Sequence, residues 1–164
     1  MSFRIAPARP QDVPVILDLV GQLADYEKLS HQVVATASQV ERELFGERPV
    51  IECVIGWETV ETGDRPVGFA LYFHNFSTFL GRRGLYLEDL FVVPDVRGRG
   101  YGKALITHLA RLAVSRGCGR FDWSVLDWNQ PAIDFYRALG ADVLPDWRIC
   151  RLTGPALTRL GQPD

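Results

Sequence analysis

Apolar positions along the chain follow strand and helix periods in turn, and the changes of period predict most of the elements. Residues 3–6 predict a short strand, after which Pro10 opens a helix where Val13, Ile16, Leu17, Val20, Leu23 and Ala24 recur at helical spacing. That helix runs out at 26–29. A second is predicted over 37–45, with Val40, Leu44 and Phe45 on its apolar face and Gly46 as its stop. Stretches 51–57 and 67–73 read as strands of an antiparallel meander, separated by the polar run 58–66 with its Gly and Pro. Residues 75–84 read as a loop, and 85–93 as the strongest strand, stopped by Pro94.

A glycine-rich turn follows, then a helix over 102–116. Its stripe is Leu105, Leu109 and Leu112, joined by Ile106, Ala110 and Ala113, with Gly117 as its stop. Residues 121–126 predict another strand. Asn129 caps a helix that carries Pro131 in its first turn and ends at Leu139 before Gly140, and 143–152 holds the last strand material. This order predicts an α/β (α+β) domain with a mostly antiparallel central sheet and a parallel crossover after Val93. At 164 residues, with no visible repeat, residues 1–164 read as one domain.

Composition narrows the class. The chain is 47% hydrophobic and 23% charged, as expected of an ordinary globular protein. A net charge of −2, with both signs mixed along the chain, argues against nucleic acid or an anionic membrane as partner. With no bilayer-length apolar run and no signal-peptide pattern, a cytoplasmic protein is expected. Cys53, Cys118 and Cys150 are odd in number and widely spaced, so they read as small buried hydrophobes rather than disulfides or zinc ligands. His31, His74 and His108 are equally scattered, so no metal is expected.

The turn Arg97-Gly98-Arg99-Gly100-Tyr101-Gly102 lies between a predicted strand and a predicted helix. Successive backbone N–H groups there form an anion site backed by the helix dipole, glycines let a pyrophosphate approach, and arginines add charge-assisted hydrogen bonds. A nucleotide P-loop is excluded because Arg97 stands at its first glycine and Ala104 at its metal-binding hydroxyl. The dinucleotide fingerprint also fails, since its third glycine arrives one residue early. A plain glycine turn stays open.

R-x-x-G-x-G directly after Val92-Val93-Pro94 resembles the coenzyme A signature of the GNAT acetyltransferases. The segments Leu85-Tyr86-Leu87-Glu88-Asp89-Leu90-Phe91-Val92 and Trp128-Asn129-Gln130-Pro131-Ala132-Ile133-Asp134-Phe135-Tyr136, with Tyr26-Glu27, resemble its spermidine/spermine and thialysine acetyltransferase branch. The resemblance implies an N-acetyltransferase moving acetyl from acetyl-CoA to a primary amine of a diamine, a polyamine or a thialysine-like amino acid. It implies that Phe91, Val92 and Val93 hold the pantetheine arm and that Arg97, Gly98, Arg99, Gly100, Tyr101, Gly102 and Lys103 hold the pyrophosphate. Asn129, Ala132 and Tyr136 then touch the cofactor, and the preceding strand splays from its parallel neighbour.

Within that resemblance, Tyr136 protonates the leaving sulfur and Glu88 relays the amine proton through water, while Tyr26, Glu27, Phe79, Glu88 and Asp89 line the amine site. The residues alone leave alternatives open. Tyr136 shares a helical stripe with Ala132 and Leu139 and suits a core aromatic, Asn129 suits an ordinary N-cap, and Glu88 or Asp89 suits a structural pair with an arginine. Tyr26 and Glu27 equally suit a solvated helix end. Arg82 and Arg83, read as loop residues beside the cleft, depart from the branch and favour an amino-acid acceptor over a long polyamine. The resemblance of Trp147 and its surroundings implies a homodimer. Other acceptors (a protein N-terminus, an aminoglycoside, another metabolite), a noncatalytic acyl-CoA sensor and a nucleic-acid module are the competing readings.

Overall fold

The computed structural model describes residues 2–163. They fall into two compact units, one ending at Ser124 and the other beginning at Val125. The first holds β1 (Ser2–Pro7), α1 (Val13–Tyr26), α2 (Ala37–Phe45), β2 (Glu52–Val60), β3 (Gly63–Ser77), β4 (Arg82–Val92), α3 (Tyr101–Ser115) and β5 (Phe121–Trp123). The second holds α4 (Gln130–Ala138) and α5 (Gly154–Leu160). No helix of the described residues is long and apolar enough to cross a membrane.

All five strands form one sheet in the order β1-β2-β3-β4-β5, antiparallel except for the parallel pair β4–β5. The mostly antiparallel sheet with one parallel crossover is the predicted architecture. Period 2 divides its residues between two faces. Cys53, Ile55, Phe69, Leu71, Phe91 and Val93 share a buried cluster with Ile16, Leu19 and Leu23 of α1 and Leu44 of α2. The alternate positions Val54, Ala70 and Leu85 are also buried but lie outside that cluster, as do Leu105 and Leu109 of α3, which packs on β3 and β4. Each fully buried Leu, Ile or Phe contributes on the order of 2 kcal/mol, so helices on both faces hold the sheet. Arg116, just past α3, clamps the helix end to β2 through Glu52 at 2.6 and 2.8 Å.

Four expectations change. Residues 75–84 are not a long loop: β3 runs to Ser77 and β4 starts at Arg82, because the two strands stay paired out to Ser77–Arg82. The strand expected over 121–126 stops at Trp123. The strand expected over 143–152 is absent, and those residues are irregular and exposed. Val143, Leu144, Trp147, Ile149 and Leu152 supply the apolar content of a strand, but content alone does not make one, and among the described residues no ladder reaches them. Of the cysteines only Cys53 is buried; Cys118 is partly exposed and Cys150 exposed.

Candidate active site

Two features of β4 build the site. Its pairing with β5 is confined to Leu85–Phe121, Tyr86–Asp122 and Leu87–Trp123. Beyond Leu87 the strand continues to Val92 with β3 on one side only, so its other edge presents backbone donors and acceptors to an extended ligand. At that same point the register with β3 slips, from Leu71–Asp89 to Tyr72–Leu87, which leaves Glu88 as the extra residue of a β-bulge. The bulge exchanges faces. Leu85 and Leu87 lie outside the α1 cluster, whereas Asp89 pairs with Leu71, whose neighbour across β2 is Cys53, on the α1 side.

The two adjacent carboxylates therefore differ. Glu88 is exposed and Asp89 half-buried. Burial, then the charges of Glu88 and Glu27, push the Asp89 carboxyl up to about 6. Glu27 is also raised by burial. The Cys53 thiol, buried beside Asp89 and Asp12, is pushed up to about 12 and stays protonated. Glu27 reaches the group because α1 ends there: Leu29 N–H bonds Ala24 at 2.8 Å and Lys28 N–H bonds Asp25 at 3.1 Å, a capping turn with Lys28 at φ 61 where glycine is usual. Glu27 and Glu88 thus lie near enough to Asp89, at one strand kink, for their charges to act on it.

The anion-binding turn lies at the other end of the open edge. Gly98 (φ 79) and Gly100 (φ 84) take the left-handed conformation that glycine permits, and Gly100 is the N-cap of α3. Among the described residues no side chain caps that helix, so its first N–H groups point at whatever binds the turn. The arginines are committed elsewhere. Arg97 donates from Nε to the Val92 carbonyl at 2.9 Å, and its guanidinium lies 4.6 Å from the Tyr26 ring centre and 5.5 Å from that of Phe91. Arg99 pairs with Glu58 at 2.9 Å. Glu58, only 2% exposed, is a residue that sequence reasoning placed in a polar connection; its signal was the face it shares with Val54 and Gly56.

Within the first unit Tyr26, Glu27, Glu88, Asp89, Phe91 and residues 92–103 thus converge on the open stretch of β4 and its exit. Phe79 lies apart, fully exposed at the β3–β4 hairpin tip. Arg82 and Arg83 are exposed at the start of β4, with Arg83 five residues before Glu88, about 17 Å of backbone along the strand. In the second unit Asn129 is buried and caps α4, its Oδ1 accepting from Ala132 N–H at 3.4 Å, while Tyr136 is half-buried with Phe135 at 5.3 Å. Among the described residues no group of three or more His, Cys, Asp and Glu is placed to hold a metal ion.

Residues 22–141 match the acetyltransferase (GNAT) family. L-ornithine N5-acetyltransferase of Arabidopsis thaliana is 37% identical, over 96% of this chain and 87% of that protein. Thialysine N-epsilon-acetyltransferase of Mus musculus is 37% identical over 97% of each chain. Among solved structures, an integron cassette protein of V. cholerae superposes with a TM-score of 0.80 at 26% identity over 99% of both chains. GNAT acetyltransferases use acetyl-CoA as co-substrate. With the sheet, the open β4 edge and the uncapped α3 all present, the chain belongs to the GNAT acetyltransferase family and is an N-acetyltransferase.

Proposed function

We propose that the protein transfers acetyl from acetyl-CoA to the terminal amine of a small diamine or of an amino acid such as thialysine or ornithine. The observation that carries this reading is the carboxylate group Glu27, Glu88 and Asp89 at the β4 bulge, on the same strand whose free edge leads to the uncapped end of α3. Similarity to ornithine and thialysine acetyltransferases over nearly the whole chain supports the amino-acid acceptor. Arg82 and Arg83, exposed at the start of the same strand, are the charges that would favour the carboxylate of an amino acid over a long polyamine.

An alkylammonium of pKa near 10.4 must lose a proton to attack, which costs roughly 4 to 5 kcal/mol at pH 7. In the proposed mechanism the carboxylates draw in the ammonium, and Glu88, exposed at the bulge, accepts its proton through a water. The free amine forms the N–C bond to the thioester carbonyl, the C–S bond breaks as the Tyr136 phenol protonates the departing thiolate, and the acylated nitrogen releases its excess proton to solvent, from which Tyr136 regains one. Phe91, Val92 and Val93 hold the pantetheine arm by their backbone, residues 97–103 the diphosphate, and Asn129 and Ala132 the cofactor's reactive end. Both units then serve one acetyltransferase domain, as a family match running from 22 to 141 suggests.

The exposed apolar residues Trp147, Ile149, Leu157 and Leu160 support a homodimer that covers them, which light scattering tests. Three free thiols suit a cytoplasmic, reducing setting. The deciding experiment measures thiol release from acetyl-CoA with thialysine, lysine, ornithine, diaminopropane, spermidine and spermine. Turnover fastest with the amino acids or the short diamine is expected; no release with any amine, together with no heat of CoA binding, overturns the proposal.

A further inference from the structure

We infer that Glu58 is a positioning residue for the donor, holding the phosphate turn in its binding shape before the ligand arrives. The inference rests on the donor proposed above. A carboxylate only 2% exposed on β2 is costly to bury and is retained where it is bonded. Here a single oxygen, Oε1, accepts from Arg99 Nη1 at 2.9 Å and from the Tyr101 hydroxyl at 2.7 Å. Those two residues flank Gly100, whose φ of 84 makes α3 start where it does. One atom therefore ties down both neighbours of the most pliable residue in the turn.

Phe3 completes the clamp from the other side, its ring stacked on Tyr101 at 4.1 Å and 6° from parallel. Room for that ring comes from Gly56, where a Cβ would lie 2.8 Å from it. So β1 and β2, three and two strands away from β4 in the sheet, fix the N-terminus of α3. A turn with left-handed glycines at 98 and 100 loses more freedom on ordering than any other sequence would. Where the protein orders it in advance, the ligand binds without that cost, which is the usual source of affinity in a rigid site. Pairing with Glu58 also neutralises Arg99, so the turn grips phosphate chiefly through its amides and the α3 dipole.

Calorimetry with CoA on the wild type and on Glu58→Gln, both checked by circular dichroism, tests this. Gln keeps the shape and removes the charge that makes both bonds strong. CoA Kd is expected to rise about tenfold. KM for acetyl-CoA rises with it, while kcat and KM for the amine stay within a factor of two. Acetyl-pantetheine, which has no diphosphate, is expected to be used equally well by both proteins, an outcome that general loosening of the fold does not give. Adding Tyr101→Phe to Glu58→Gln is expected to cost little more. An unchanged CoA Kd in a folded variant, a tighter one from a freed Arg99, or parallel losses with acetyl-pantetheine overturn the inference. If Glu58→Gln does not fold, Tyr101→Phe alone decides: a three- to fivefold rise in CoA Kd supports the clamp and no change refutes it. Failure of the wild type to bind CoA refutes instead the donor assignment.

Discussion

Replacing Asp89 by Asn is expected to make the unliganded protein more stable above neutrality and worse as an enzyme. The Asp89 carboxyl moves from 3.8 to about 6, chiefly through burial and then through Glu88 and Glu27. At 1.36 kcal/mol per tenfold change in proton affinity, the ionised native state is penalised by roughly 3 kcal/mol. The sign follows from proton binding: between about pH 4 and 6 the folded protein holds the Asp89 proton and the unfolded chain releases it, so this group's contribution falls as pH rises through that window. Urea denaturation of both proteins from pH 4 to pH 8 reads it directly. The difference in unfolding free energy should be small or unfavourable to Asp89→Asn at pH 4. It should grow by about 1 to 3 kcal/mol in the variant's favour by pH 8, the lower figure allowing for an imperfectly bonded amide. Carboxylates elsewhere, such as Glu52 and Asp64, titrate alike in both proteins and cancel. A difference that does not change with pH refutes the raised carboxyl, and with it the idea that a cation is drawn in to relieve three crowded acids. Such a trade of stability for function is common at binding sites.

Three further outcomes are expected. Lys28→Gly, at φ 61, should stabilise the fold by about 1 kcal/mol, seen as a rise of a few degrees in Tm, because only glycine occupies that conformation without strain. Arg116→Met should cost about 1 kcal/mol at pH 7, a figure kept low because the pair is partly exposed. Since Arg116 holds the Glu52 carboxyl below its usual value, that loss should shrink as pH falls below about 4.5 in denaturation curves. Tyr136→Phe should lower kcat by at least tenfold while leaving CoA affinity and Tm within error; unchanged kcat assigns the ring to packing instead.

What was legible in the sequence was what neighbours in the chain decide. Helix α2 spans 37–45 as read from its apolar spacing, and its start is reinforced by a reciprocal pair in which Gln39 N–H bonds Thr36 Oγ1 and Thr36 N–H bonds Gln39 Oε1. The turn at 97–102 was legible because left-handed glycines and a helix start are local matters. The bulge was not: Leu85 to Val92 is apolar but for the adjacent Glu88 and Asp89, and nothing in that run says which residue is extra; the slip arises only where β4 meets β3, so the face given to Asp89 could not be read. Residues 143–152 failed in the opposite sense: their apolar content suggested a strand, yet among the described residues they form no ladder. Glu58 is the sharpest case. As one acid in a polar stretch it reads as solvated, and only the approach of the turn and the first residue of α3 sets it against Arg99 and Tyr101. An arginine beside glycines in a sequence marks where an anion binds, but whether its charge meets the ligand or a buried acid depends on a strand some forty residues earlier. For that reason the backbone amides of this turn are a firmer guide to the donor than its side-chain charges.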